Sequence, residues 1–151
     1  MGLTLLGPYL EIQKKFERCF DPETLTAELA EEFLGLLLSL MGIAFVLDST
    51  YRDNIRGFNG RYQFRSMDDR ISMAVVFHDS RMVVAKTIID DPHVSVVFRD
   101  GKALLGFLLS PKQDILTAML NHDITTRGNL NYIYRFGYLA TNLRRRLLHK
   151  A

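Results

Sequence analysis

The sequence has few of the residues that carry covalent or metal chemistry. Its 151 residues include one cysteine, Cys19, four histidines and no tryptophan. A single cysteine excludes an internal disulfide framework and a cysteine-rich zinc module, and it is typical of a reducing compartment. The histidines form no i, i+4 pair and have no cysteine beside them. We therefore predict no metal site.

An excess of charge of one sign is missing as well. The 19 basic and 17 acidic side chains give a formal net charge of +2. No aromatic platform accompanies the single basic patch, so we expect no nucleic-acid partner. Hydrophobic residues make up 48% of the chain and charged residues 24%, which is typical of soluble globular proteins. At this length we predict a single domain over residues 1–151.

Catalytic motifs are also absent from the sequence. It contains no G-x-S-x-G, no P-loop and no dinucleotide-binding fingerprint. The paired carboxylates Asp68-Asp69 and Asp90-Asp91 lie at predicted turns. We therefore predict no catalytic residue and no cofactor, and we expect that the protein is not an enzyme.

The sequence does contain a long apolar run. The fifteen residues from Phe33 to Leu47 carry no charge, and this is fewer than the roughly 20 residues that a helix needs to cross a bilayer. The run continues a row of apolar residues at helical spacing: Leu25, Leu29, Phe33, Leu36 and Leu40. We predict a buried core helix here, with a ligand-lining or membrane-touching helix as the alternative.

Hydrophobic periodicity along the rest of the chain predicts an α+β fold. The helical period recurs at residues 9–20, 102–109, 113–120 and from 130 to the C-terminus. Alternation typical of strands occurs near residues 62–66, 71–77, 82–89, 94–98 and 123–128. Because short turns join the first four of these strands, we predict that consecutive strands pair in an antiparallel meander.

Three segments in the second half of the chain carry a resemblance to a known family. The segment from Val94 to Pro111, VSVVFRDGKALLGFLLSP, resembles a strand and short helix of the sterol carrier protein type 2 (SCP2) family. Residues 115–121 resemble the family's next short helix, and residues 124–130 its last strand-to-helix junction. With the earlier strands, the resemblance covers about residues 58–147, after a helical extension of about residues 1–50.

The resemblance implies a five-stranded, mostly antiparallel sheet that is covered by helices and encloses an apolar tunnel. The tunnel would bind or transfer a fatty acid, acyl-CoA, phospholipid or sterol-like lipid without catalysis. From the alternation of the strands and the helical spacing, we predict these lining residues: Leu36, Leu40, Phe64, Met73, Val75, Phe77, Val84, Phe107, Leu108, Met119, Ile133 and Phe136. Eukaryotic members end in a peroxisomal tripeptide, whereas this sequence ends in His149-Lys150-Ala151. We therefore expect a cytoplasmic protein from a bacterium, peripheral to membranes at most.

One basic patch stands near the end of the last predicted helix. Arg144, Arg145 and Arg146 are consecutive there, where positive charge complements the helix dipole. The same charges attract anionic lipid headgroups. We predict that these arginines make transient contact with an anionic membrane surface.

Two other functions remain open from the sequence. The same fold with a closed core would be an interaction module that uses residues 33–47 to form a homodimer or to dock on a membrane protein. A hot-dog-type acyl-CoA thioesterase also pairs an antiparallel sheet with an apolar helix. That enzyme needs a carboxylate or histidine on the helix, and residues 33–47 contain neither.

Overall fold

The computed structural model describes residues 22–109 and 114–149, so the helix predicted over residues 9–20 lies outside the described residues. The described chain contains these strands: β1 Gly60–Ser66, β2 Ser72–His78, β3 Arg81–Ala85, β4 Val94–Phe98 and β5 Ile124–Gly128. It contains these α-helices: α1 Pro22–Leu47, α2 Ser49–Arg52, α3 Gly101–Leu109, α4 Ile115–Leu120 and α5 Leu130–His149. A 3₁₀ turn, Asp53–Ile55, follows α2. The fold is α+β, as predicted.

The five strands form one mixed sheet in the order β3-β2-β1-β4-β5. Three of the neighbouring pairs are antiparallel, while β1 and β4 at the centre are parallel. The sheet is thus mostly antiparallel, but the meander predicted for the first four strands is wrong at β4. The chain leaves β3 at one edge and crosses to the far side of β1, where Val96 pairs with Phe64.

A buried glutamine explains why the third strand is shorter than predicted. The side-chain amide of Gln63 donates to the carbonyl of Thr87 at 3.1 Å, and its carbonyl oxygen accepts from the backbone N–H of Ile89 at 2.8 Å. These bonds hold the chain after Ala85 across the sheet rather than beside β2. A buried amide needs such partners, so the crossing segment and Gln63 stabilise each other.

Acidic or amide side chains cap the N-termini of several helices. Asp48 accepts hydrogen bonds from the first turn of α2, and Asp114 from that of α4. Asp100 accepts from the N–H of Ala103 at 2.8 Å at the start of α3, and Asn129 from that of Asn131 at 2.9 Å at the start of α5. Such caps satisfy backbone donors that have no partner within the helix.

Helix α1 is apolar on two faces. The residues that pack in the core with the sheet, which we call the inner row, are buried: Ala30, Leu34, Leu38, Met41 and Phe45. The residues on the opposite side, the outer row, are exposed: Leu25, Leu29, Phe33, Leu36, Leu40, Ile43 and Leu47. The periodic residues that predicted a core helix therefore belong to the exposed row. The core contacts come from the other face.

Helix α1 is also longer than the uncharged run. An 18-residue window within its residues 25–47 has a mean hydropathy of 1.9, and among the described helices α1 is the one long and apolar enough to cross a membrane, by length and composition alone. The inner row nevertheless packs in the same core as the sheet. A spanning arrangement would expose that core, so α1 is a core helix whose outer row is left uncovered by the described residues.

Helices α1 and α3 meet at a contact that only glycine permits. A Cβ atom added to Gly101, at the start of α3, would lie 2.6 Å from the Cα atom of Ala27 in α1. Real side chains do not approach backbone atoms so closely, and the Cα atom of Ala27 belongs to a helix that cannot move alone. Gly101 therefore sets the distance between the two helices.

We predict that Gly101→Ala lowers the free energy of unfolding by about 1–3 kcal/mol, since the added methyl group overpacks the α1–α3 contact. Gly106→Ala in the same helix is the matched control. Its Cβ atom would meet nothing within 4 Å, and alanine favours a helix by up to about 1 kcal/mol over glycine. Urea unfolding measures the free energy of unfolding of both variants. Equal effects of the two substitutions would contradict a tight contact at Gly101.

Candidate functional site

Two buried tyrosines hold α5 above the sheet. The Tyr62 hydroxyl donates to the carbonyl of Tyr132 at 2.7 Å, and the Tyr51 hydroxyl donates to the carbonyl of Leu139 at 2.8 Å. Burial raises the pKa of both hydroxyls far above the ordinary value of 10.0, so they remain protonated donors. The Phe136 ring packs between α5 and the sheet, 5.1 Å from Phe64 by ring centroids.

An apolar inner cavity of about 320 Å³ lies beside these contacts. Strands β1 and β4, helices α1, α3 and α5, and the start of α4 contribute its walls. Its described lining residues are Leu34, Leu37, Phe64, Val96, Phe98, Leu104, Phe107, Leu108, Asp114, Ile115, Leu116, Ile133, Tyr134, Phe136, Gly137, Ala140 and Thr141. Small-molecule sites commonly occupy about 300–1,000 Å³ and are mostly apolar, so the cavity is of suitable size and character.

An outer groove of about 560 Å³ adjoins the inner cavity. It lies between α1, α3 and α5 and is lined by Phe33, Leu36, Leu37, Leu40, Leu108, Leu109, Ala140, Thr141, Leu143, Arg144, Leu147 and Leu148. Leu37, Leu108, Ala140 and Thr141 line both spaces. We call the inner cavity and the outer groove together the cleft.

Charged groups in the described lining are few and separated. Asp114 borders the inner cavity and Arg144 the outer groove. The hydroxyl of Thr117 donates to the Asp114 carboxylate at 2.8 Å, and hydrogen bonds from Thr117 and Leu116 hold the pKa of Asp114 below its ordinary value. A carboxylate that remains ionised as a helix cap is poorly suited to general acid or base catalysis near neutral pH. Metal-ligand groupings of three or more His, Cys, Asp or Glu side chains do not occur in residues 22–109 and 114–149.

The structure brings seven of the predicted lining residues to the cleft. Phe64, Phe107, Leu108, Ile133 and Phe136 border the inner cavity, and Leu36 and Leu40 border the outer groove. They come from four different elements. A contact between these residues and a ligand remains a prediction.

The other five predicted residues lie elsewhere. Met73, Val75 and Phe77 are buried in the solid core, Met119 packs against that core, and Val84 is exposed on the edge strand β3. The error follows from the strand order. A meander would have put β2 and β3 between β1 and β4, whereas β4 itself pairs with β1 and supplies Val96 and Phe98. The alternation of Val94, Val96 and Phe98 in the sequence was the signal from which the lining residues on β4 could have been predicted.

The three consecutive arginines have different surroundings. Arg146 forms an ion pair with Asp48, its Nε donates to Asn142 Oδ1 at 2.8 Å, and its guanidinium lies 5.5 Å from the centroid of the Tyr51 ring. Arg144 and Arg145 are exposed. Arg146 therefore joins α5 to the end of α1, and this contact differs from the predicted exposure to a membrane surface.

We predict that Arg146→Gln lowers the free energy of unfolding by about 1 kcal/mol, because it removes a charged hydrogen bond between two elements. Arg145→Gln is the matched control and should change it by less than about 0.5 kcal/mol. The two values are compared by urea unfolding at neutral pH. Similar losses in both variants would contradict a joining role for Arg146.

The same contact predicts a dependence on pH. The backbone N–H of Tyr51 chiefly, and Arg146 in addition, lower the pKa of Asp48 below its ordinary value of 3.8. A carboxyl with a lowered pKa stabilises the fold above its unfolded pKa and loses that contribution as the pH falls through its folded pKa. Stability should therefore decline below about pH 4, and Asp48→Asn should make that decline shallower.

Comparison with known proteins shows similarity at the level of the fold. No family model matches the sequence, and no curated protein matches it. A solved structure described as "UbiJ-SCP2 Ubiquinone synthesis protein" superposes with a TM-score of 0.53 at 17% identity, covering 79% of this chain and 95% of that chain. The sterol carrier protein domain 2 of Helicoverpa armigera superposes with a TM-score of 0.51 at 13% identity, covering 72% and 85% of the two chains. The chain therefore has an SCP2-like fold, which confirms the fold implied by the resemblance.

Proposed function

We propose that this protein binds one lipid molecule in the cleft and carries it without changing a covalent bond. The observation that supports this most directly is the inner cavity itself, which is bordered almost entirely by apolar side chains from the sheet and from α1, α3, α4 and α5. The ligand class is a fatty acid, acyl-CoA, phospholipid or sterol-like lipid. The name of the ubiquinone synthesis protein with the same fold adds isoprenoid lipids to the compounds worth testing.

Apolar burial is sufficient to bind such a ligand. Burial of one methylene group contributes about 0.8 kcal/mol, so ten methylene groups contribute about 8 kcal/mol before the cost of ordering the chain. A specific pair of polar groups is not required for this affinity. The separation of Asp114 and Arg144 between the two spaces supports a carrier over an enzyme, since no acid–base pair meets at one point of the described lining.

A substitution of Gly137 by a larger apolar residue can fill part of the cleft without adding charge. Gly137 borders the inner cavity, and a Cβ atom there would meet nothing within 4 Å. It lies within α5, where leucine favours a helix by roughly 0.5–1 kcal/mol over glycine. A leucine at this position should thus occupy ligand space while leaving the fold at least as stable.

We predict that Gly137→Leu reduces the affinity for a fluorescent fatty acid by at least about tenfold, because its side chain takes the place of several ligand carbon atoms. The matched control is Gly106→Leu, which makes the same exchange in α3, outside both spaces of the cleft. Titration of delipidated protein with the fluorescent ligand measures the affinity, and thermal unfolding confirms that both variants fold.

A second substitution tests the cleft independently of the leucine side chain at position 137. Phe107→Glu places a charge on the cavity wall and should also abolish uptake, while Leu120→Glu changes an exposed residue outside the cleft and should not. If Gly137→Leu and Phe107→Glu both retained the affinity of the unmodified protein, the cleft would not be the lipid site.

A further inference from the structure

The described lining of the cleft contains one cation, Arg144. It borders the outer groove, in which Thr141 is the other polar member of the described lining and the rest are apolar. Arg144 is also exposed, so its guanidinium lies where the groove meets water. Its two neighbours are placed differently, since Arg145 borders neither space of the cleft and Arg146 pairs with Asp48. The positive charge of the described lining therefore comes from a single position.

The charge on Arg144 is available to a ligand. Among the residues that the structure describes, no carboxylate lies within ion-pair distance of its guanidinium. Arginine side chains do not lose their proton in proteins, so this charge is permanent. A guanidinium binds carboxylate and phosphate groups through paired hydrogen bonds, which are stronger than bonds to neutral acceptors. An acidic lipid headgroup is therefore the natural partner for this position.

The opposite charge borders the other space of the cleft. Asp114 lines the inner cavity and does not line the outer groove. Its carboxylate accepts from the backbone N–H of Leu116 at 3.0 Å and from the hydroxyl of Thr117 at 2.8 Å, and these bonds favour the ionised form. A negative charge repels an acidic headgroup. The inner cavity therefore favours the apolar chain of an acidic lipid, and the outer groove favours its head.

Helix α5 lines both spaces with one row of residues. Ile133, Gly137, Ala140 and Arg144 follow one another at intervals of four, three and four, so they share one side of the helix. The helix rises about 16 Å between the first and the last of them. Ala140 borders both spaces, and the small residues Gly137 and Ala140 leave room beside the helix. An extended lipid chain can thus lie along α5 with its head at Arg144.

We propose that Arg144 selects lipids with an acidic headgroup, a carboxylate or a phosphate, and orients them in the cleft. The headgroup stays at the outer groove beside Arg144, and the chain enters the inner cavity. This inference rests on the proposed binding of lipid in the cleft and adds the chemistry of the headgroup and the direction of the chain. Sterol-like and isoprenoid lipids without an acidic group are then the weaker ligands.

The expected preference is moderate in size. Neutral and acidic lipids with the same chain bury the same apolar groups, so the headgroup alone distinguishes them. A hydrogen bond to a charged group contributes more than a neutral one, but water screens a contact at an exposed side chain. We therefore expect the contact with Arg144 to be worth about fivefold in affinity.

The test compares oleate with oleyl alcohol, which has the same chain and an uncharged head. Titration of the delipidated full chain at neutral pH measures both affinities, without vesicles, so contact with a membrane does not contribute. Arg144→Gln should weaken oleate binding about fivefold and leave oleyl alcohol binding unchanged. Arg145→Gln is the matched control, because it removes the same charge one residue away and outside the lining. It should leave both affinities unchanged.

Two further arms define the headgroup. Oleoyl lysophosphatidic acid presents a phosphate in place of the carboxylate, and the headgroup whose affinity falls more in Arg144→Gln is the better match for the site. Reversal of the charge by Arg144→Glu should weaken oleate binding about tenfold and strengthen binding of oleylamine, whose head is cationic. A role of Arg144 in the fold alone would not exchange the two preferences. Thermal unfolding shows that each variant folds.

Two results would overturn the proposal while leaving the cleft as a lipid site. The first is an equal loss of oleate and oleyl alcohol affinity in Arg144→Gln, since the side chain would then only shape the groove. The second is an equal effect of Arg144→Gln and Arg145→Gln on oleate binding, including no effect of either. If the unmodified protein bound none of these lipids, the proposed function itself would fail, and the headgroup inference with it.

Discussion

The hydrogen bonds from Tyr51 and Tyr62 to the backbone of α5 fix the position of this helix, and the cleft depends on them. Each hydroxyl reaches a carbonyl more than 65 residues away in sequence. With Arg146 paired to Asp48, they fasten one side of α5 to the turn region after α1 and to the centre of the sheet. The other side of α5 faces α1 and α3 across the cleft. A helix fastened along one side can border an open space without collapsing into it, and Gly137 leaves further room there.

Helix α1 gives the molecule its two apolar environments. Its inner row belongs to the same buried cluster as the sheet residues Tyr62, Met73 and Phe77, which supplies stability through apolar burial. Its outer row adjoins the outer groove, which the exposed Arg144 also borders. One helix therefore belongs to the core, to the cleft wall and to the exposed surface. This explains why its sequence has no polar face between Phe33 and Leu47.

The sequence predicts the elements well and their arrangement less well. The helical periodicity, the alternation of the strands and the resemblance in residues 94–130 led to the α+β class and the SCP2-like fold. Two apolar faces on α1 made its buried side impossible to choose by periodicity, because either row satisfies the helical spacing. The place of β4 depends on a contact across the chain, between Gln63 and residues 87–89, that no local pattern encodes. The cleft residues from β4 were missed for this reason, and the role of Arg146 depends likewise on the distant Asp48 and Tyr51.

The central claim is that the cleft is open and holds a lipid. Native mass spectrometry of the freshly purified full chain, followed by organic extraction and lipid analysis, tests it most directly. Our account predicts a one-to-one adduct whose extracted component carries a long apolar chain. A mass corresponding to the protein alone, unchanged after incubation with fatty acids, phospholipids and isoprenoid lipids, would contradict it and would favour an interaction module with a closed core.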